Sequence, residues 1–257
     1  MSDAFPEEFP DAIPAATLVL FRDMPDGPPE LLMVERAKAM VFAAGALVFP
    51  GGRIDPGDHS LATVLGGDAE DMAARVAAIR ETIEEVAMPI GLTPAPTPAT
   101  LAALRAALHG GTSFGEALAD AGLSLDPSSL VPFARWLPRH AHMRIFDTRF
   151  YLARLPADAP LPQVDATENV RLLWTTARQV LDDADAGDVR IIFPTRRNLE
   201  RLAQYRDFAD AVDDTIRHPI RTVTPWIEER DGAEFLCIPS DIGYPVASEA
   251  IASAMRG

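Results

Sequence analysis

Residues 49–58 read FPGGRIDPGD, and residues 80–88 read RETIEEVAM. The first ends a short apolar run on two adjacent glycines, which let a backbone approach another group closely. The second lies in a helical pattern from Ala69 to Met88, where Val76, Ile79, Ile83 and Val86 recur at intervals of 3, 4 and 3 residues. That spacing builds one apolar face. At ~100° per residue, Glu81, Glu84 and Glu85 fall together on the opposite side. One face of the helix is suited to a sheet, and the other presents three carboxylates.

Three carboxylates on one arc repel, which weakens a helix and resists full ionisation. A divalent cation removes the conflict, and hard oxygen ligands suit Mg²⁺ or Mn²⁺. Arg80 is placed to orient one of the glutamates, and Asp58, on the loop leading to the helix, adds a fourth carboxylate. The plainer reading is a solvated acidic face, a common feature of acidic proteins.

Outward from this centre, Ala15–Phe21 and Glu30–Arg36 are apolar runs around a turn at Asp23–Pro29, so 13–36 reads as a β-hairpin. Gly45–Phe49 is a third short strand. Pro89 stops the glutamate helix. Thr93–Thr100 is a proline-rich linker, and 100–121 holds two alanine- and leucine-rich helices around Gly110-Gly111. Leu130–Leu137, Asp147–Leu155 and Val170–Thr175 read as strands. Pro194-Thr195 opens one helix running through RRNLERLAQYRDFADAV, with Thr195 as its N-cap. Residues 220–245 are extended, with a turn at Asp231-Gly232. Helices and hairpins are interleaved, which favours α+β or mixed α/β over a doubly wound parallel sheet.

Composition limits the function. The chain has 257 residues, 48% hydrophobic and 24% charged, with a formal charge of −15. No window approaches ~18 apolar residues, which excludes a membrane-spanning helix. A sequence pI near 4.7 without a basic tract argues against nucleic acid and anionic membranes as partners. MSDAFPEEFPDAIP (1–14) lacks a secretory layout. Cys237 is the single cysteine, so a cytoplasmic location is expected. Lys38 is the only lysine; arginine, a better bidentate phosphate ligand, supplies the remaining positive charge. His109, His140, His142 and His218 show no ligand spacing beyond a weak His140-x-His142.

Strand, glycine loop, acid and RExxEE helix together resemble the box of the Nudix hydrolases. Gly52 matches its first glycine, Asp58 its first acidic position, and Arg80, Glu81, Ile83, Glu84, Glu85 and Met88 its second half. Residues 59–79 are an insertion inside the box, Asp58 stands in place of glutamate, and Ala87 in place of glycine. The interruption is similar to a branch that includes peroxisomal coenzyme A diphosphatases. LLMVERAKAMVFAAGALVFPGG (31–52), FDTRFYLARLP (146–156), Trp174, FPTRRNLERL (193–202) and LCIPSDIGYP (236–245) also look like that branch.

The resemblance implies a single domain over 1–257, an α/β/α sandwich around a mixed sheet, enlarged by helical insertions at 59–79 and about 93–129. The second insertion is expected to cap the site. The implied reaction is Mg²⁺- or Mn²⁺-dependent hydrolysis of a diphosphate bond in a small nucleoside diphosphate derivative, with coenzyme A or acyl-CoA first. NADH, ADP-ribose and dinucleoside polyphosphates are the alternatives. A reading of another class is a ligand-binding regulator that has lost catalysis, against which the intact Glu81, Glu84 and Glu85 set counts.

In this reading Arg80, Glu81 and Glu85 are catalytic, and Glu81, Glu84 and Glu85 hold the metal. Arg36, Gly51, Gly52 and Arg53 bind substrate. Asp58 and Glu168 are secondary candidates, Glu168 as a general base from outside the box. A homodimer is a candidate assembly.

Overall fold

A computed structural model describes residues 11–38, 43–138, 144–165 and 168–254. In chain order it contains β1 (Ile13–Arg22), β2 (Glu30–Arg36), β3 (Leu47–Val48), β4 (Gly51–Arg53), α1 (Pro56–Leu65), α2 (Ala69–Val86), β5 (Leu92–Thr93), α3 (Pro98–His109), α4 (Phe114–Ala121), β6 (Ser124–Leu125), β7 (Val131–Trp136) and β8 (Phe146–Arg154). Then follow β9 (Asn169–Thr176), α5 (Ala177–Ala186), α6 (Phe193–Leu202), α7 (Phe208–Arg217), β10 (Thr222–Val223), β11 (Trp226–Arg230), β12 (Ala233–Cys237), β13 (Ser248–Ala250) and α8 (Ile251–Ala254).

The main sheet runs β10-β7-β8-β1-β2-β3, with β4 added on β1 and β9 on β2. It is mixed, because β1 lies parallel to β8 and antiparallel to β2 and β4. One edge of β1 is shared: Ala15–Thr17 pair with β4, and Phe21 and Arg22 pair with β2. Leu18 N donates to Pro50 O at 2.9 Å where the two partners meet. The FPGG segment is thereby stitched to the middle of the sheet.

Side chains alternate across β1. Leu18 and Leu20 enter one core with Leu32, Val34 and the α2 residues Val76, Ile79 and Ile83. Val19 and Phe21 enter another with Leu31, Met33 and Val180, Leu199 and Ala211 of α5, α6 and α7. Both faces of the sheet are covered, which explains the nearly unbroken apolar runs of β1 and β2. Ile79 and Ile83 are fully buried, each contributing about 1.5–3 kcal/mol. The fold is the expected α+β sandwich.

Helix α2 spans 18 residues, with Asp68 accepting from Asp71 N as its N-cap. Ala87 ends it at φ 56°, in the left-handed region. This is the position where the box has glycine, and alanine holds the same conformation at a cost of about 1 kcal/mol. Residues 59–79 supply most of α1 and the N-terminal turns of α2. Helices α3 and α4 bury Leu101, Leu104, Leu108, Phe114 and Leu118 in the same core as Ile79 and Ile83.

Three expectations change. The single helix from Thr195 is two helices, α6 and α7, and Thr195 lies inside α6, whose N-cap is Ile192. Asp207 caps α7 by accepting from Asp210 N at 2.8 Å, a break that the continuing apolar period conceals. Helix α5 lies in a stretch read as neither helix nor strand. Asp147 binds Arg135 across the β7–β8 ladder, and Arg149 turns to Glu70. His140 and His142 lie outside the described residues. No described helix is long and apolar enough to cross a membrane.

Candidate active site

The site is organised by Arg80, which is 7% exposed. Its Nε donates to Asp58 Oδ1 at 2.9 Å, and its Nη2 donates to Asp58 Oδ2 and to the Arg53 carbonyl, each at 2.9 Å. Its Nη1 donates to Glu81 Oε1 and Glu84 Oε1, both at 2.9 Å. Burial would lower the pKa of the guanidinium, but the carboxylates of Asp58, Glu81 and Glu84 raise it overall. Arg80 therefore stays charged and holds two glutamates at once.

Asp58 is 1% exposed. Its Oδ2 also accepts from Asp55 N at 2.8 Å in the first turn of α1. It stands behind Arg80 as an anchor on the Nε and Nη2 edge of the guanidinium, whereas Glu81 and Glu84 take Nη1. Both of its oxygens are engaged, Oδ1 by Arg80 and Oδ2 by Arg80 and the Asp55 amide.

The glycines act on the carboxylates too. Gly51 N donates to Glu85 Oε2 at 3.0 Å. A Cβ at Gly52 would lie 2.3 Å from Glu81 Oε1, and one at Gly51 would lie 2.4 Å from Ala16 O. Four buried alanines of α2, Ala73, Ala74, Ala77 and Ala78, help bring the helix close enough for these contacts. Arg53 has an exposed side chain without an ion pair among the described residues, while its carbonyl serves Arg80.

Arg36 and Glu168 come together, with Nη2 and Oε2 3.7 Å apart. Ala37 N donates to the Glu168 carbonyl at 2.8 Å, and Asp165 accepts from the backbone N of Glu168 and of Asn169. Asn169, fully buried, faces Glu85 and was not anticipated from sequence; an asparagine at a strand start carries no periodic signal.

Burial pushes the Glu81 carboxyl up to about 8, aided by the charges of Glu85 and Glu84 and opposed by Arg80. Burial likewise pushes Glu85 up to about 7, against the favourable influence of Asn169, Gly51 N and Arg36. These buried hard-oxygen donors fit a divalent cation, which would supply the missing positive charge. Among the described residues, however, no three acidic, histidine or cysteine side chains already surround a common point. Glu81 and Glu84 each give an oxygen to Arg80, and Glu85 gives one to Gly51. Each keeps a second oxygen outside those bonds, through which it can face a cation while Arg80 and Gly51 hold it in place.

Beside the site, a cavity of about 330 Å³ opens between α3 and residues 160–165, lined in part by Ala87, Leu101, Arg105, His109, Leu161 and Asp165. Arg105 closes the end of α2: its Nε donates to Glu84 O at 2.7 Å and its Nη2 to Glu85 O at 3.2 Å. On the other face of the sheet, two segments singled out in sequence meet. Asn198 Oδ1 accepts from Tyr244 OH at 2.8 Å, and Trp136 Nε1 donates to Tyr244 OH at 3.0 Å.

The chain resembles known proteins in both sequence and structure. The crystal structure of a NUDIX hydrolase from Alicyclobacillus acidocaldarius superposes with a TM-score of 0.69 at 30% identity, covering 79% of this chain and 96% of that one. A curated relative, putative nudix hydrolase 7 of Caenorhabditis elegans, is 28% identical over 181 residues, 69% of this chain. The match spans 57% of that relative's length. No family model matches the chain.

Proposed function

The chain belongs to the Nudix hydrolase family, and from that premise we propose that it hydrolyses the diphosphate bond of a small nucleoside diphosphate derivative, with coenzyme A or an acyl-CoA as the substrate. The observation that carries this reading is the gathering of Glu81 and Glu84 on Arg80, with Glu85 held by Gly51 N, Arg36 beside Glu85 and Arg53 on the adjoining loop. Supporting the coenzyme A substrate are the segment 31–52 and the insertion 59–79, which look like the branch with an interrupted box. The cavity between α3 and residues 160–165 offers room for the group attached to the diphosphate.

Nudix hydrolases use divalent metal ions; here Glu81, Glu84 and Glu85 would hold Mg²⁺ or Mn²⁺, which neutralises diphosphate charge and acidifies water when bound. The chain's own residues supply the rest. Arg80, locked by Asp58, holds Glu81 and Glu84 in one orientation. Gly51 N holds Glu85. Arg36 and Arg53 take the phosphate oxygens, for which guanidinium geometry is suited. A carboxylate accepts the proton of the attacking water, and Glu168, exposed next to Arg36, is the candidate outside the helix.

The test is a phosphate-release panel with Mg²⁺ or Mn²⁺ over coenzyme A, acyl-CoAs, NADH, ADP-ribose and a dinucleoside tetraphosphate. Turnover of coenzyme A compounds, lost in Glu85→Gln, is expected. Faster turnover of NADH than of coenzyme A would replace the substrate. No turnover of any compound, with Glu85→Gln indistinguishable, would move the protein to a binding role.

A further inference from the structure

In the β2–β9 ladder Arg36 stands opposite Asn169, and the register shifts between Glu35 and Arg36. Side chains directly opposite in a ladder lie ~5 Å apart on one face, and a bulge re-aims the residue beside it. Asn169 is 0% exposed; its amide lies close enough to Glu85 to favour the carboxylate yet closes no well-formed hydrogen bond at Nδ2 or Oδ1, and Arg36 Nε is also buried and unpaired. Each such atom costs the fold, since a buried polar group without a partner loses its water for nothing.

The position is nonetheless held firmly. Asp165 accepts from the backbone N of Asn169 at 3.1 Å and of Glu168 at 2.9 Å, and Glu168 O accepts from Ala37 N at 2.8 Å. The amide faces Glu85, whose Oε2 is occupied by Gly51 N. Unpaired donor, unpaired amide and carboxylate thus succeed one another from Arg36 through Asn169 to Glu85. Groups kept unsatisfied by a rigid frame are characteristic of functional sites.

We propose that Asn169 is a positioning residue that couples Arg36 to Glu85, its Nδ2 donating to the Glu85 carboxylate and its Oδ1 accepting from Arg36 Nε when substrate is bound. A phosphate group drawn to Arg36 would then set the orientation of Glu85 through a side chain that touches neither substrate nor cation. The inference rests on the hydrolase reading above.

The test uses the full chain carrying Asn169→Leu, similar in size and without polar atoms. For the substrate the panel selects, kcat falls by roughly 10–100-fold, the range for outer-shell partners of metal-site ligands, while KM shifts by less than about 3-fold. Affinity for Mn²⁺ alone, read by calorimetry, falls about 10-fold. The thermal midpoint holds or rises, because two unsatisfied atoms have been removed. A merely structural asparagine predicts the reverse, a lower midpoint with kcat per folded molecule unchanged, and that result overturns the proposal.

Should the leucine variant fail to fold, Asn169→Asp keeps the shape and removes the Nδ2 donor; full kcat in that variant also overturns it. Loss of turnover in Glu85→Gln beside full activity in Asn169→Leu rejects the coupling and keeps the hydrolase reading. If the wild-type chain turns over nothing, Mn²⁺ affinity of the leucine variant decides the role of Asn169 separately.

Discussion

Arg80 and Asp58, separated by a turn and most of two helices, form a two-point ion pair in which Nε meets Oδ1 and Nη2 meets Oδ2, each at 2.9 Å. Asp58 has no contact with solvent to lose, and Arg80 carries the orientation of Glu81 and Glu84. Stability and site geometry therefore pass through one pair. Asp58→Ala is expected to cost about 3 kcal/mol, since removing one partner of a buried pair strands the other. Chemical denaturation reads that cost. Phosphate release should fall with it even at temperatures where the variant is fully folded. An unchanged midpoint would show that Glu81 and Glu84 alone suffice to hold Arg80.

The two glycines of the FPGG loop should separate stability from turnover. At Gly51 an added Cβ meets β1 backbone, 2.4 Å from Ala16 O and 2.7 Å from Thr17 Cα. Gly51→Ala must part β4 from β1, with a loss of about 2 kcal/mol. At Gly52 the added Cβ meets the Glu81 carboxylate, which can swing aside. Gly52→Ala should keep most of the stability and lose turnover by about 10-fold or more, because Glu81 leaves Arg80. Thermal unfolding and kcat of the two variants make the comparison; equal effects on both quantities would contradict it.

The pH response follows from the raised carboxyls. Glu85 at about 7 and Glu81 at about 8 both exceed the 4.5 of an unfolded glutamate. The folded state then binds more protons than the unfolded one between these values, so their contribution is present at low pH and lost as pH rises. Glu200, pushed up to about 7 by burial, adds in the same direction. In a chelator, the melting midpoint should decline from pH ~5 to pH ~8, and saturating Mg²⁺ should remove most of the decline. Asp214 acts in another window. Burial opposes its ionisation, but Tyr205, Arg201 and His218 hold it below 3.8, so its stabilisation is lost only on acidification below that range. A midpoint that climbs from pH ~5 to pH ~8 in chelator would contradict this account.

What could be read from sequence was local. The arc of Glu81, Glu84 and Glu85 and the hairpin of β1 and β2 are visible because a period of 3.6 or a pair of runs around a turn needs only neighbouring residues. The meeting of Arg36 with Glu168 was not visible, since it depends on which strand β9 chooses as partner. The partners of Asp58 were hidden for a related reason. Its spacing suits a ligand, but DPGD begins a helix, and the first turn directs the carboxylate back to its own backbone and to Arg80. Helix α6 ends at Leu202 and Asp207 caps α7 inside an unbroken apolar repeat. Asn169 left no trace, because its importance lies in what it fails to bond.

The parallel pairing of β1 with β8 joins residues 13–21 to residues 146–154, and it bears on how the protein is made. β1 leaves the ribosome well before β8 and waits for a partner more than a hundred residues later. Until then FPGG can be pinned to β1, but the central pair is open and one edge of β1 is bare. Loop closure over that span precedes its reward, so folding is expected to be slow for the size of the protein. The carboxylate helix is synthesised early, yet Arg36, Glu85 and Asn169 can be brought together only after β9 has emerged. Nascent fragments ending before residue 169 should carry all three glutamates and still lack the site.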